Sequence, residues 1–128
     1  MAVTFLDFHL VDGVPIYLQI IRYLKAAVAA GTVQDGDEMP SRRVLSALLG
    51  VNPNTIQKAY KLLEDEGLIR SHAGAKSYVS ASAEQVSALR RQLPEWCAAD
   101  FVWDMKAMGL QKDEATALVA RLWEEEET

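Results

Sequence analysis

Apolar residues recur at helical spacing in two segments of the first half of the chain. After a turn signal at residues 12–15, the first series runs as far as Gly31, where a helix should end. A second helix should begin with Ser41 as its N-cap and stop at Gly50. The first series consists of Ile16, Ile20, Ile21, Leu24 and Val28. The expected buried side of the second helix consists of Val44, Leu45, Leu48 and Leu49.

A third helix should follow at once, from Pro53 to about Glu66, with Asn52 as its N-cap. At about 100° per residue, its apolar positions fall within about 60° of Ile56, whereas a set of polar and cationic residues lies about 100 to 200° away. The apolar set is Ile56, Ala59, Tyr60 and Leu63. The polar set, which contains no acid, is Asn54, Gln57, Lys58 and Lys61.

The second half of the chain predicts a small wing and then more helix. Residues 68–70 and 77–80 have the composition of two short strands around a loop at residues 72–76. Beyond Ser82 the pattern becomes helical again, with Pro94 expected to kink or break the helix. A last helix should begin near Lys112 after a bend at Gly109. We therefore predict a mainly α fold with a two-stranded wing: a winged helix-turn-helix domain over residues 1–81 and a helical hairpin tail over 82–128.

Composition limits the chain to one core with a short appendage, because it has 128 residues, half of them apolar. The net charge of −5 is unevenly distributed. Residues 40–80 carry six basic and three acidic groups, whereas the segments on either side are both acidic. One basic face on an acidic protein can be steered to DNA. No apolar run or basic leader indicates a membrane span or signal peptide, so we expect a cytoplasmic protein.

Other kinds of chemistry have little support in the sequence. Cys97 is the single cysteine and cannot form an internal disulfide, so we expect a buried structural thiol. His9 and His72 are too far apart in sequence to show metal-ligand spacing. No nucleophile and base pair, paired carboxylates or phosphate-binding loop is recognisable. We therefore expect neither an enzyme nor a cofactor.

The middle third of the chain has the features of a DNA reader. Two short helices joined by a tight turn form the unit whose second helix fits the major groove. The polar set of the third helix and Thr55 carry groups that suit base edges and phosphates. Arg42, Arg43 and Lys76 should flank that helix and contact the phosphate backbones. Two alternatives to DNA contact are that the polar face of the third helix is ordinary solvated surface and that Arg43 forms an intramolecular ion pair. A third is a winged helix that binds protein or RNA, which should show apolar anchors on the third helix.

Residues 39–45 (Met-Pro-Ser-Arg-Arg-Val-Leu) and 50–69 closely resemble the GntR family of bacterial transcription regulators. Residues 15–20 (Pro-Ile-Tyr-Leu-Gln-Ile) and 52–55 (Asn-Pro-Asn-Thr) resemble its YtrA subfamily, so the resemblance covers about residues 14–80. It implies that Arg43 and the residues opening the third helix contact operator DNA, with Gln57 and Lys58 on the readout face. Family wings read Gly-x-Gly-Thr-Phe, and here Lys76 replaces the second glycine after Gly74. The predicted DNA-binding set is Ser41, Arg42, Arg43, Asn52, Asn54, Thr55, Gln57, Lys58, Lys61, Gly74 and Lys76.

The tail also fits this resemblance, because the chain after the wing is too short for the large C-terminal domain of most GntR proteins. YtrA-like proteins have instead a short helical tail that dimerises. We expect a homodimer that represses transcription from a palindromic operator, with any small-molecule effector unidentified. The alternative is that the tail packs against the winged domain. The predicted dimerisation stripe is Phe101, Val102, Met105, Met108, Leu118, Leu122 and Trp123.

Overall fold

The computed structural model describes residues 2–72 and 76–127. Its helices and strands follow the predicted order: α1 Ile16–Ala30, α2 Arg42–Leu49, α3 Pro53–Asp65, β1 Ile69–Ser71, β2 Ser77–Val79, α4 Ala83–Ala107 and α5 Lys112–Glu127. The predicted mainly α fold with a two-stranded wing is confirmed. The chain forms two compact units, Met1–Arg91 and Gln92–Thr128. The domain boundary predicted after residue 81 stays a prediction.

The predicted helix caps define the ends of the first three helices. α1 ends at Gly31, whose φ of 83° lies in the left-handed region that suits a residue without a Cβ atom. The Ser41 hydroxyl accepts the Val44 N–H at 3.1 Å, which caps α2 as expected. Asn52 caps α3 by accepting the Asn54 N–H at 2.8 Å. These three residues therefore mark the end of α1 and the starts of α2 and α3.

The core of the first unit centres on α3, which packs against α1, α2 and β1. The four residues predicted to form the apolar face of α3 are all buried: Ile56, Ala59, Tyr60 and Leu63. Leu45 of α2 and Ile69 and Val79 of the strands are buried with them. Burial of side chains of this size stabilises a fold by roughly 1.5 to 3 kcal/mol each. Because the apolar face of α3 is buried in this core, its opposite, polar face points to solvent.

The predicted buried side of α2 is partly wrong. Leu45 and Ser46 are buried, but Val44 and Leu48 are 59 % and 56 % exposed. The helix has only eight residues, and it turns the side that includes Leu45 towards α3. Val44 and Leu48 lie four residues apart, next to each other on a different side of the helix. A short helix shows too few turns for the sequence to distinguish the two sides.

The wing strands belong to a slightly larger ladder. β1 and β2 pair antiparallel, with Ile69 opposite Val79. Residues 36–39 extend along the other edge of β2, where Met39 N–H donates to Ser77 O and Val79 N–H donates to Asp37 O, both at 2.8 Å. Val3 N–H in turn donates to Glu38 O at 2.8 Å. The N-terminal segment is thus tied to the base of the wing.

Residues 2–14, which show little periodicity, are an integral part of the first unit. Val3 and Phe5 are buried, and the Phe5 ring stacks on Tyr23 of α1 with centroids 4.8 Å apart. The buried Gln19 side chain accepts the Val11 N–H and donates to the carbonyl of Val11, both at 2.9 Å. Backbone groups of an irregular segment need such partners when they are withdrawn from water.

Of the kink or break predicted at Pro94, the break is wrong, because α4 runs as one helix of 25 residues through it, and the kink stays a prediction. A proline removes one helical hydrogen bond, here the one to the Arg90 carbonyl, while the bonds on either side keep the helix continuous. Before this point, α4 belongs to the first unit: Leu89 is buried, and Arg90 donates to the Ala29 carbonyl at 2.7 Å. The two compact units divide after residue 91.

The second unit is sparsely buried by itself. Ala115 is buried, and Leu118, one turn later, is half-buried. Farther along α5, Val119, Leu122 and Trp123 are exposed. The expectation of a buried Cys97 is wrong, because this thiol is exposed. Two helices offer too little apolar surface to enclose all the large side chains that they carry.

Candidate nucleic-acid interface

The outer face of α3 is polar, cationic and exposed, as its helical spacing predicted. Asn54, Gln57, Lys58 and Lys61 are all exposed. Thr55 is half-buried beside them. The exposed large apolar side chains of the described residues lie on other elements, not on α3. This face offers hydrogen-bond donors, acceptors and positive charge, but no apolar anchor for a protein partner.

Ser41 and Asn52 stand at the starts of α2 and α3 and have a structural role there. Their side-chain oxygens accept backbone N–H groups as N-caps. The Ser41 hydroxyl can still donate its proton, and the Asn52 amide retains its NH₂ group. Both residues are exposed. Contact of these two residues with DNA stays a prediction.

Arg42 and Arg43 are adjacent but have different surroundings. Arg42 donates to the Glu64 carboxylate at 3.1 Å, and its guanidinium lies 4.9 Å from the centre of the Tyr60 ring. Arg43 is exposed, and no ion pair involves it within residues 2–72 and 76–127. The sequence analysis considered an intramolecular ion pair for Arg43, but it is Arg42 that forms one, with Glu64. Arg43 is the arginine whose charge is available to a phosphate.

A hydrogen-bond network connects α3 to the wing. Glu64 accepts from both Arg42 and the Ser71 hydroxyl, and the hydroxyls of Ser71 and Ser77 lie 3.0 Å apart. The Tyr60 hydroxyl donates to the Pro40 carbonyl. Burial raises the pKa of Tyr60, and the positive charge of Arg42 partly offsets that increase. The network fixes α2, α3 and both strands relative to one another.

Tyr17 contacts the outer face of α3, which the sequence analysis did not predict. The Lys58 ammonium lies 4.0 Å from the centre of the Tyr17 ring, within the range of a cation–π interaction. Tyr17 is half-buried near the start of α1. Its only signal in the sequence is its place in the Pro-Ile-Tyr stretch, which carried the family resemblance but no role. The ring restricts where the Lys58 charge can lie.

Lys76 is exposed in the described part of the wing. Its side chain is 69 % exposed, and its ammonium lies 3.6 Å from a Glu38 carboxylate oxygen. His72 N–H donates to the Lys76 carbonyl at 2.8 Å, which continues the antiparallel pairing beyond Ser71 and Ser77. The His72 ring meets Tyr78 edge to face at 5.1 Å. Gly74, the remaining predicted wing contact, lies outside the described residues.

No group of three or more His, Cys, Asp or Glu residues that could hold a metal ion occurs in the described ranges. The longest described helix is α4, and none of the described helices has the apolar stretch that crossing a membrane requires. The features that are present in the first unit are a helix-turn-helix, a two-stranded wing and a cationic outer face.

Comparison with known proteins identifies this arrangement. The sequence pattern described as "Bacterial regulatory proteins, gntR family" matches residues 16–79, which run from the start of α1 to the end of β2. The chain belongs to the GntR family. The matched residues are those of the winged helix-turn-helix, so the family's DNA-binding domain is the one built here.

Individual relatives support the same family and its YtrA branch. The HTH-type transcriptional repressor YtrA of Bacillus subtilis is 44 % identical over 57 % of this chain and 56 % of its own length, so this chain matches little more than half of that protein. An uncharacterized regulator of the same organism, YhcF, is 35 % identical over 78 % of this chain and 83 % of its own length.

Solved structures agree with this fold. A GntR family regulator from Listeria monocytogenes superposes with a TM-score of 0.74 at 31 % identity, covering 88 % of this chain and 98 % of its own. YtrA from Sulfolobus acidocaldarius, a GntR-family transcription factor, superposes with a TM-score of 0.55 at 33 % identity, covering 74 % and 99 %. The first of these matches extends over most of the chain and is not confined to the winged domain.

The predicted dimerisation stripe is largely uncovered in the single chain. Phe101, Met105 and Leu118 are half-buried. The remaining members are exposed: Val102, Met108, Leu122 and Trp123. Trp96 and Trp103, which are not members of the predicted stripe, are exposed as well, and their spacing of seven residues places both on one side of α4. Trp103 is 76 % exposed.

Proposed function

We propose that this GntR-family protein is a transcription repressor that binds a specific palindromic operator as a homodimer. The observation that carries the proposal is the outer face of α3, where polar and cationic side chains are exposed without an apolar anchor and acid is confined to the C-terminal end, with Asp65 3.5 Å from Lys61. A helix of this kind fits the major groove, where its side chains can reach base edges. The described relatives YtrA and YhcF are named as a transcriptional repressor and a transcriptional regulator.

In this proposal the contacts divide into two classes. Asn54, Thr55 and Gln57 read bases near the start of α3, and Lys58 and Lys61 contact bases or phosphates farther along it. Arg43 and Lys76 neutralise phosphates on the two sides of that helix. Ser41, Asn52 and Gly74 complete the proposed contact set. Arg42 supports these contacts indirectly, because its guanidinium is already bound to Glu64.

Uncovered apolar surface in the second unit supports a homodimer. The exposed side chains of the predicted stripe, Val102, Met108, Leu122 and Trp123, would stabilise an assembly by up to roughly 1.5 to 3 kcal/mol each if they were fully buried. Such a contiguous apolar area is rare on a monomer. A two-fold dimer presents two recognition helices to one face of DNA, so the half-sites should lie about 10 bp or a multiple apart.

Selection from a random duplex pool followed by competition tests the proposal. The protein should enrich one palindromic sequence, which unrelated duplex competes for only weakly at physiological salt. The observed affinity should fall steeply as salt rises, because each neutralised phosphate releases counterions. Asn54→Ala and Gln57→Ala should change the selected bases. Equal competition by unrelated duplex would show that binding is not sequence-specific, and a monomer at micromolar concentration would exclude the homodimer.

A further inference from the structure

Lys76 of the wing is paired with an acid of its own chain. Its ammonium lies 3.6 Å from a Glu38 carboxylate oxygen, and the two side chains are 69 % and 45 % exposed. This separation exceeds the length of a hydrogen bond, whereas Lys25 and Glu66 meet at 2.8 Å in a hydrogen-bonded pair. The attraction between Lys76 and Glu38 is therefore electrostatic and not directional.

The backbone of Glu38 is fixed in the ladder that extends the wing. Residues 36–39 lie along β2, where Glu38 stands opposite Tyr78. On the other side, the Val3 N–H donates to the Glu38 carbonyl at 2.8 Å. The carboxylate can move only through its own side chain, so the ladder keeps it beside Lys76 when DNA arrives.

The cations proposed to contact DNA differ in whether an acid accompanies them. Arg43 forms no ion pair within the described part of the chain, whereas Lys61 pairs with Asp65 one turn along the same helix. A pair at that spacing supports its helix. Glu38 and Lys76 lie on neighbouring segments of the ladder, and an exposed pair of this kind adds little to stability. Its main effect is therefore expected on what Lys76 can bind.

A lysine that already faces a carboxylate gains less from a phosphate than an unpaired cation does. Carboxylate and phosphate are both anions, so DNA binding exchanges one anion for another at the Lys76 ammonium. Only the difference between the two attractions adds to the affinity. Arg43 has no such partner to give up, so its proposed phosphate contact contributes its full attraction.

We propose that Glu38 is an internal competitor that limits how strongly the wing binds the phosphate backbone of DNA. The carboxylate occupies Lys76 in the free protein and stays beside it in the complex, which lowers the affinity for every duplex. Phosphate contacts carry no sequence information, so the bases selected by α3 are unaffected. This inference rests on the proposed DNA binding and assigns a residue that sets its strength.

The opposite role for Glu38 would be to orient Lys76 towards DNA. Orientation requires a directed bond, and the separation of 3.6 Å provides none. Removing an orienting carboxylate would weaken DNA binding, whereas removing a competitor strengthens it. The two roles therefore predict changes of opposite sign.

Neutralising the carboxylate tests the proposal. Glu38→Gln should tighten binding to the selected operator and to an unrelated duplex of equal length by a similar factor of about fivefold, the upper range for an exposed ion pair. The salt slope should become steeper by up to about 1, because Lys76 then neutralises a phosphate without a competitor. An unchanged or weakened affinity would overturn the proposal.

A matched control separates this effect from the change in net charge. Glu95, an exposed acid of the second unit, has no ion pair among the described residues. Glu95→Gln makes the same chemical change and should alter the affinity less than about 1.5-fold, because salt screens distant charges. A gain as large as that of Glu38→Gln would assign the effect to net charge and reject the role of Glu38.

Substituting the lysine shows whether the effect passes through Lys76. In a Lys76→Met background, Glu38→Gln should change the affinity less than about twofold, since charges beyond about 8 Å are largely screened at physiological salt. Lys76→Met should in turn weaken binding more in the Glu38→Gln background than in the wild type. Equal gains from Glu38→Gln in both backgrounds would show that the carboxylate repels DNA directly, which would reject competition for Lys76.

Stability and DNA binding are measured separately. The urea midpoint of Glu38→Gln should match that of the wild type, and damage to the fold would weaken binding and not tighten it. A wild-type protein that binds operator and unrelated duplex equally contradicts the proposed function, while the gain from Glu38→Gln is still measurable on both. A selected operator whose affinity Glu38→Gln leaves unchanged contradicts this inference alone. A wild-type protein that binds no duplex contradicts both.

Discussion

The guanidinium of Arg42 donates to the Glu64 carboxylate at 3.1 Å, across the gap between α2 and α3. Glu64 in turn accepts the Ser71 hydroxyl of β1, so one carboxylate joins three elements. The next residue, Arg43, is exposed and has no such partner among the described residues. Neighbouring arginines of one motif are therefore expected to contribute to different properties: Arg42 to stability and Arg43 to DNA affinity.

Alanine substitution should separate these two contributions. Arg42→Ala should lower the free energy of unfolding by about 1 to 2 kcal/mol, because a partly buried carboxylate loses its charged partner. Arg43→Ala should change stability by less than about 0.5 kcal/mol, yet weaken binding to all duplexes and reduce the salt slope by about 1. Urea denaturation and salt-dependent binding titrations measure the two effects. An unchanged salt slope for Arg43→Ala would contradict its assignment to a phosphate.

Gln19 should be important for stability although it lies far from the proposed readout face. Its side chain makes three hydrogen bonds to the backbone of Val11 and Val14. Gln19→Leu leaves these groups without their partner and should lower the free energy of unfolding by about 1 to 3 kcal/mol. Gln57→Leu, the same change on the exposed face of α3, is the control and should leave stability nearly unchanged. Similar urea midpoints for both variants would show that the N-terminal segment needs no such anchor.

Tyr60 should make the protein sensitive to alkali. Burial raises its pKa in the folded state, whereas an unfolded tyrosine ionises near pH 10. Above about pH 10 the unfolded chain therefore loses a proton that the folded chain keeps, so stability falls as pH rises. Tyr60→Phe removes this effect, although it costs about 1 kcal/mol at neutral pH through the lost bond to Pro40. Urea midpoints measured from pH 8 to 11 should fall more steeply in the wild type, and parallel curves would refute the assignment.

Tyr17 and Lys58 should be coupled in DNA binding. The ring holds the ammonium 4.0 Å from its centre, which restricts the lysine before DNA arrives. Tyr17→Leu should weaken binding to the selected operator a few-fold in the wild type, but should have little effect in the Lys58→Met background. Tyr17→Phe keeps the ring and should behave nearly as wild type. The coupling energy in a double-mutant cycle should be about 0.5 to 1 kcal/mol, and additive effects would exclude the coupling.

Truncation should show where the first unit ends. A chain ending at Arg91 keeps the buried Leu89 and the bond from Arg90 to the Ala29 carbonyl, whereas a chain ending at Ser82 loses both. The shorter chain should be less stable by about 2 kcal/mol or more, since a buried leucine alone contributes roughly 1.5 to 3 kcal/mol. Urea unfolding compares the two, and sedimentation should find the 1–91 chain monomeric. Equal stability would place the domain boundary at residue 82 after all.

Helical periodicity predicted the parts of the fold that have long, one-sided apolar patterns. The α3 residues Ile56 and Leu63 are buried as expected, since thirteen residues distinguish one helix side from the other. The eight residues of α2 do not, so Val44 and Leu48 were placed on the wrong side. The break predicted as one outcome at Pro94 is absent for another reason, because a proline inside a helix removes only one of many hydrogen bonds.

The candidate site was predicted in its residue types but not in its pairings. Exposure of Asn54 and Gln57 follows from local helix geometry, which the sequence contains. The Lys58 contact with Tyr17 and the Arg42 contact with Glu64 depend on how separate helices pack, which no local pattern records. Residues 2–14 show little periodicity for the same reason, because their long-range hydrogen bonds go to Gln19 and Glu38.

The three tryptophans of the chain all belong to the second unit, at positions 96, 103 and 123, and all are exposed in the single chain. The intrinsic fluorescence excited at the red edge of the absorption band therefore comes from this unit, while the winged domain contributes only tyrosine emission. If a second copy covers these indoles, their emission should shift to the blue on concentration and become harder to quench with iodide. The protein therefore contains a natural optical reporter of its own assembly that is silent to unfolding of the DNA-binding half.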